Sequence, residues 1–275
     1  MKSDILVFGT MGNIAEIASS ALRKHGLSVA RIDFPQSTFR DETGYERALR
    51  KAIDDCNPDM ILPVGNLRAI SRIKERLSDD IFIPVDCESK IRVLDSKAGA
   101  SRLSSELSIP QPRIFHSAEE AEGHRVIFKK DISFGGSGIY KPRTKEALQH
   151  LIEREEGKEF IIEEYIEGED YSIDAIRWDG YFRAECYRSL GNKGQGPALE
   201  REKTVDTLIY SYAREILDKI DYKGICGMDF RIDRQGNRFF LECNPRLTGG
   251  LECQIKSGFD IPFILYSLMK QNPDG

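Results

Sequence analysis

Between Gly224 and Arg246 the sequence GICGMDFRIDRQGNRFFLECNPR brings two acids and an amide into a pattern that could hold a cation. Two runs of strand-like residues flank Arg234-Gln235-Gly236-Asn237 and read as a hairpin. With the turn centred on Gln235-Gly236, Phe230 faces Leu241, Ile232 faces Phe239 and Met228 faces Cys243, making one apolar face. On the other face Asp229 lies opposite Glu242, and Asn244 and Arg246 follow Glu242 on the same side. Carboxylates paired across strands repel unless something neutralises them. An oxygen-ligated cation such as magnesium would do so, with Asn244 as a third ligand. The competing reading is a solvated acidic face, and register alone does not choose between the two.

A second stretch suits anions. Asp131 to Gly138, DISFGGSG, carries three glycines and two serines, and such a loop can turn successive backbone N–H groups onto phosphate oxygens. Lys129, at the end of the preceding strand, would add a point charge. The loop lacks the GxxxxGK[ST] spacing, so it is not a Walker-type phosphate loop, and an ordinary glycine-rich hairpin loop is the plain alternative. In the phosphate role it is expected to be mobile without nucleotide and ordered with it. Further back, Gly9-Thr10-Met11-Gly12-Asn13 follows the first strand without matching GxGxxG, and Asp33 sits near where a ribose-binding acid would, which leaves dinucleotide binding as a minor alternative. These glycines and Gly65-Asn66 fall where open α/β sheets bind ligands. Arg188, Lys193, Arg201 and Lys203 are candidate carboxylate binders. His25, His116, His124 and His150 fall in no such motif, and no Ser-His-Asp set is apparent.

These residues need elements to hold them. Strands at Ile5 to Phe8, Ser28 to Ile32, Met60 to Val64 and Ile81 to Val85 alternate with helical patterns, which predicts a parallel sheet with right-handed crossovers. Ser96 to Leu107 reads as a helix capped at Asp95 or Ser96 and closed by Ile109-Pro110-Gln111-Pro112. A smaller unit follows, with strands at Arg125 to Lys129, Ile139-Tyr140 and Phe160 to Glu163 and a helix from Thr144. Long strands at Tyr171 to Arg177 and Tyr181 to Ser189, a loop at Gly191 to Pro197, a helix at Val205 to Ile220, the hairpin and two helices (Leu247 to Ser257, Ile261 to Met269) complete the chain. The 275 residues can bury a substantial core, and a net charge of −5 gives no general reason to expect nucleic acid. No apolar run is long enough to span a membrane, and Asp4 interrupts the N-terminus too early for a secretory signal. Six cysteines without CxxC spacing read as reduced thiols in a cytoplasmic protein.

In this order Lys97, Lys129 with GGSG at Gly135 to Gly138, EEYIEG at Glu163 to Gly168, Asp229, and ECNPR at Glu242 to Arg246 resemble the ATP-grasp superfamily over nearly the whole chain. The resemblance is closest to the carbamoyl-phosphate-synthase-like branch, including the ligase of pyrrolysine biosynthesis, through DMILPVGN, SIPQP and IIEEYIEG. It implies mixed α/β and α+β architecture: a parallel-sheet pre-ATP-grasp domain (1–95), a connecting helix and linker (96–112), a small lid (113–168) and a larger subdomain with the metal site (169–275). It also implies that Lys97, Lys129, Gly135, Gly136, Ser137 and Gly138 contact ATP and its phosphates. Glu163, Glu164, Tyr165 and Ile166 line the adenine pocket, largely through backbone groups, and Asp170 takes the ribose position, where the family often has glutamate. Asp229, Glu242 and Asn244 match ligands of Mg2+ (or Mn2+), and Arg246 an arginine that stabilises charge near the transferred group.

The sequence departs from the family at three points. Lys130 stands where many members have proline, and Gly227 where dipeptide ligases carry an anion-stabilising arginine. The extra C-terminal domain of many relatives is not in the sequence, so the acceptor pocket is expected to be open or completed by another subunit, as in a homodimer. The implied reaction joins a small-molecule carboxylate to an amine or thiol through an acylphosphate, releasing ADP and phosphate. A kinase of the same fold and a nucleotide-binding regulatory protein without turnover are the alternatives.

Overall fold

The computed structural model describes residues 2–34, 42–133, 137–191 and 200–271. Strands β1 (Ile5–Gly9), β2 (Val29–Asp33) and β3 (Met60–Val64) form a parallel sheet in the order β2-β1-β3, with helices α1 (Gly12–Lys24), α2 (Glu42–Cys56) and α3 (Leu67–Lys74) between and after them. The apolar runs ILVFG and MILPV are buried along their whole lengths, as strands covered on both faces must be. The fourth strand expected at Ile81 to Val85 shrinks to a single bridge, Met60 to Phe82. Pro63 on β3 and Pro84 in the facing segment both lack the N–H that a continuing ladder needs.

Helix α4 (Glu88–Asp95), which the sequence reading missed, leads directly into α5 (Lys97–Glu106). Ser96 caps α5, its hydroxyl oxygen accepting the Gly99 N–H at 2.9 Å. The chain then builds a small antiparallel sheet from β4 (Ile114–Phe115), β5 (Val126–Lys130), β6 (Ile139–Tyr140) and β7 (Phe160–Glu164), in the order β4-β7-β5-β6. Helix α6 (Lys145–Arg154) covers it, and Phe115, Phe128, Leu148, Leu151 and Ile162 form its core.

The remaining strands, β8 (Gly168–Trp178), β9 (Tyr181–Leu190), β10 (Glu200–Thr204), β11 (Gly224–Asp233) and β12 (Arg238–Asn244), make an antiparallel sheet ordered β10-β9-β8-β11-β12. Helices α7 (Thr207–Lys219), α8 (Leu251–Lys256) and α9 (Ile261–Gln271) pack around it, and β10 is a strand absent from the sequence-based expectation. An apolar core runs from Leu6 and Phe8 on β1 to Met228 and Phe230 on β11, so the parallel sheet and the large sheet are packed as one body. Among the described residues no helix is long and apolar enough to cross a membrane, and all six cysteines are free thiols.

Candidate active site

The hairpin β11–β12 pairs Asp229 with Glu242, but not by the register drawn from the sequence. The loop holds three residues rather than two: Asp233 accepts the Gly236 N–H and donates its own to Asn237, and Gly236 takes a positive φ of 85°. Such a turn ends in a left-handed residue that glycine adopts without steric cost. The shift brings Phe230 opposite Phe240 and Ile232 opposite Arg238, correcting the expected Leu241 and Phe239 partners. A bulge then absorbs Leu241, and beyond it Asp229 faces Glu242, Met228 faces Cys243 and Gly227 faces Asn244.

Burial and the nearby Glu242 carboxylate push the Asp229 carboxyl up to about 8, far above the usual carboxylate range. Such a site favours a positive charge. Lys97, at the first turn of α5 and 6 % exposed, stands with Nζ 3.6 Å from Glu242 Oε2. The same ammonium donates to the Asp131 carbonyl at 3.3 Å and to Ser133 Oγ at 3.2 Å. Asp131 fixes this helix end: its Oδ1 accepts from Ser96 Oγ at 2.9 Å and from the Ala98 N–H at 2.8 Å.

Asn244 donates from Nδ2 to Asp229 Oδ2 at 3.4 Å, while its Oδ1 accepts from Arg246 Nη2 at 2.8 Å. The amide oxygen therefore faces Arg246 and would have to turn to ligate a metal. Among the described residues no group of three or more His, Cys, Asp or Glu side chains could hold a metal ion. The donor set here is two carboxylates and one amide. That set fits a hard cation such as Mg2+, which takes a few protein oxygens and completes its shell with water and phosphate.

On the small sheet Lys129 and Glu163 form a buried pair, Nζ to Oε1 at 2.5 Å, with both residues at most 5 % exposed. Burial raises the Glu163 carboxyl, and the Lys129 ammonium opposes the shift. Lys130, where proline was expected from the resemblance, pairs with Glu155 at 2.7 Å and donates its N–H to the Gly138 carbonyl. Gly138 has a φ of 78°, and a Cβ there would lie 3.1 Å from the Lys130 side chain. Ser137 and Gly138 thus lead into β6, with Gly138 beside Lys130, whereas Gly135 and Gly136 lie outside the described residues.

The crossing from β7 to β8 carries the expected adenine segment. Glu164 and Tyr165 donate their N–H groups to the carbonyls of Arg113 and Arg125, both at 2.8 Å. Arg231, absent from the sequence reading, holds the other end. Its Nη1 donates to the Ile166 carbonyl at 2.9 Å, its Nε donates to Asp170 Oδ1 at 2.8 Å, and its guanidinium stands over the Tyr165 ring. Only the β8–β11 register, which sets Arg231 opposite Asp170, could have pointed to it. Of the candidate carboxylate binders, Arg188 pairs with Glu202, Lys203 with Glu185, and Arg201 with Asp174, while Lys193 lies outside the described residues.

The three sheets together superpose on solved structures. Biotin carboxylase from Campylobacter jejuni superposes with a TM-score of 0.75 over 96 % of this chain and 70 % of that one, at 18 % identity. The chain has the ATP-grasp fold. L-amino acid ligase from Bacillus licheniformis superposes with a TM-score of 0.68 over 92 % of this chain and 69 % of its own, at 15 % identity. By sequence, residues 156–274 match the family described as ATP-grasp in the biosynthetic pathway with Ter operon. The carbamoyl phosphate synthase large chain of Caldanaerobacter subterraneus subsp. tengcongensis is 25 % identical over 211 residues, 67 % of this chain. The chain spans only 19 % of that relative's length.

Proposed function

We propose that this chain is an ADP-forming ligase that uses ATP and Mg2+ to join a carboxylate to an amine or a thiol. The observation that carries the reading is Lys97 Nζ at 3.6 Å from Glu242, beside the paired acids, with the buried Lys129–Glu163 pair on the lid. Carboxylates are poor electrophiles, and phosphorylation by ATP would supply the leaving group that lets a nucleophile attack. Bound Mg2+ would neutralise phosphate charge and orient the transferred phosphoryl group. In this reading Lys97 and Lys129 meet the polyphosphate, Ser137 and Gly138 approach it with backbone, and Glu163 to Ile166 border the base. Arg231 holds Asp170 toward the ribose side, while Asp229, Glu242 and Asn244 form the cation face. Arg246, hydrogen-bonded to Asn244, stabilises charge as the acyl group transfers.

The likeness to carbamoyl phosphate synthase supports placing the chain in the biotin-carboxylase and carbamoyl-phosphate-synthase-like branch. DMILPVGN and IIEEYIEG support a narrower kinship with the pyrrolysine-pathway ligase. The test is incubation with Mg2+, ATP and pooled carboxylates in the presence of hydroxylamine. The expected result is ADP formed only with a carboxylate, together with a hydroxamate that traps the acylphosphate. A stable phosphorylated product without trapping would instead assign a kinase. Nucleotide binding without turnover would assign a regulatory protein.

A further inference from the structure

A buried polar cluster lies beside the paired acids and includes none of the motif residues named from the sequence. Asp174 on β8 is 1 % exposed and sits opposite Gly227 on β11, while its strand neighbour Ser172 sits opposite Asp229. Asp174 Oδ1 accepts from Thr248 Oγ1 at 2.9 Å, and Thr248 Oγ1 accepts from Nε2 of the fully buried Gln254 at 3.1 Å. The second oxygens of this chain of bonds, Asp174 Oδ2 and Gln254 Oε1, are buried and accept no hydrogen bond. Arg201 Nη1 stands 3.5 Å from Asp174 Oδ2 but donates to Ser172 Oγ at 2.8 Å.

Two glycines let the cluster close up. A Cβ at Gly227 would lie 2.4 Å from Thr248 Cγ2, and one at Gly250 would lie 1.1 Å from Arg201 Nη2. Thr248 is half-buried and Gly249 exposed, so the cluster reaches solvent at that turn. Native proteins seldom leave buried acceptors unmet, and two joined through one hydroxyl call for a donor from outside the chain. A hydroxyl brings one hydrogen, whereas a primary ammonium brings three, enough to reach both oxygens.

We propose that Asp174 and Gln254 form a seat for a primary ammonium group, entered past Thr248 and Gly249. That the occupant is the acceptor amine of ligation rests on the ligase reading above; the seat itself does not. Arg201 borders the seat, so an ammonium carried on an anionic or polar body, such as an amino acid, binds there more tightly than a simple alkylammonium does.

The seat is tested with ethylammonium chloride as the probe. Crystals of the full chain are soaked in it, and in tetramethylammonium chloride, which has equal charge and no N–H donor. The expected result is an ammonium nitrogen within hydrogen-bond distance of Asp174 Oδ2 and Gln254 Oε1, with no tetramethylammonium there. In titrations followed by thermal unfolding, Gln254→Leu and Asp174→Asn should each weaken the ethylammonium response about tenfold or more. Gln254→Leu keeps the Asp174–Arg201 pair, so it carries the test even if Asp174→Asn fails to fold. Water alone at the two oxygens, an adventitious additive only, or an equal response to both salts overturns the seat. Carboxylate-dependent ADP formation is measured alongside. ADP without seated ammonium overturns the seat and spares the ligase, whereas seated ammonium without ADP overturns the ligase and spares the seat.

Discussion

Asp229→Asn should stabilise the protein when no divalent cation is present. The native carboxyl is pushed up to about 8, while in the unfolded chain it titrates at the ordinary value of about 3.9. Between these two values the native state holds a proton that the unfolded state has released, so stability falls as pH rises through the window and returns on acidification. Each pH unit contributes about 1.4 kcal/mol, which sets a ceiling of roughly 5 kcal/mol near pH 7.5. Because Asp229 is only half-buried by exposure and its titration is tied to Glu242, about 2 kcal/mol is the expected gain. Urea unfolding in EDTA, from about pH 5 to about pH 8, reads it, with the gap between variant and wild type widening as pH rises. With Mg2+ and an ATP analogue the order should reverse, since a ligand at a hundred times its Kd adds about 2.7 kcal/mol to the form that binds it. A variant no more stable than wild type in EDTA at the upper end of that range would refute the proposed repulsion across the hairpin.

Lys129→Ala strands Glu163 in a buried site and should cost about 3–5 kcal/mol in unfolding free energy as well as weakening nucleotide binding. Lys129→Met with Glu163→Leu should restore most of that stability but not the binding, which separates the structural from the ligand role by a melting curve and an ATP titration. Arg246→Ala should leave ATP affinity within a few-fold of wild type while lowering kcat, the mark of a group that acts mainly in the transition state. Gly227→Ala should lower stability by about 1–3 kcal/mol, because its Cβ would meet Thr248 at 2.4 Å; an unchanged Tm would show that Thr248 can retreat.

Much of this fold is legible in the sequence because strands such as MILPV carry apolar runs that burial on both faces demands. The candidate acids were legible for a less secure reason. The turn was read one residue too short, and the bulge at Leu241 went unseen, and the two omissions cancel by the time the ladder reaches Asp229. A bulge leaves no clear mark in an apolar stretch such as Arg238-Phe239-Phe240-Leu241. Strand β10 escaped because four of the five residues of EREKT are charged, as an edge strand with one solvated side can be. Arg231 and Asp174 stayed hidden because their partners, Asp170 and Thr248, lie 61 and 74 residues away, and local spacing says nothing about those pairings.

Asp131 has a consequence for how the site can move. It follows the strand that carries Lys129, and its carboxylate grips the two residues on either side of Lys97, while its carbonyl receives the Lys97 ammonium. The two lysines thus hang from one knot, although they come from different units of the fold. Ala100 and Leu103 fix α5 in the large core and Lys97 stands beside Glu242, so a movement of the small sheet would pivot at Asp131 and shift Lys129 relative to a stationary Lys97. On the ligase reading, a polyphosphate would meet one stationary charge at Lys97 and one movable charge at Lys129, and the spacing between them would be set by the turn at Asp131.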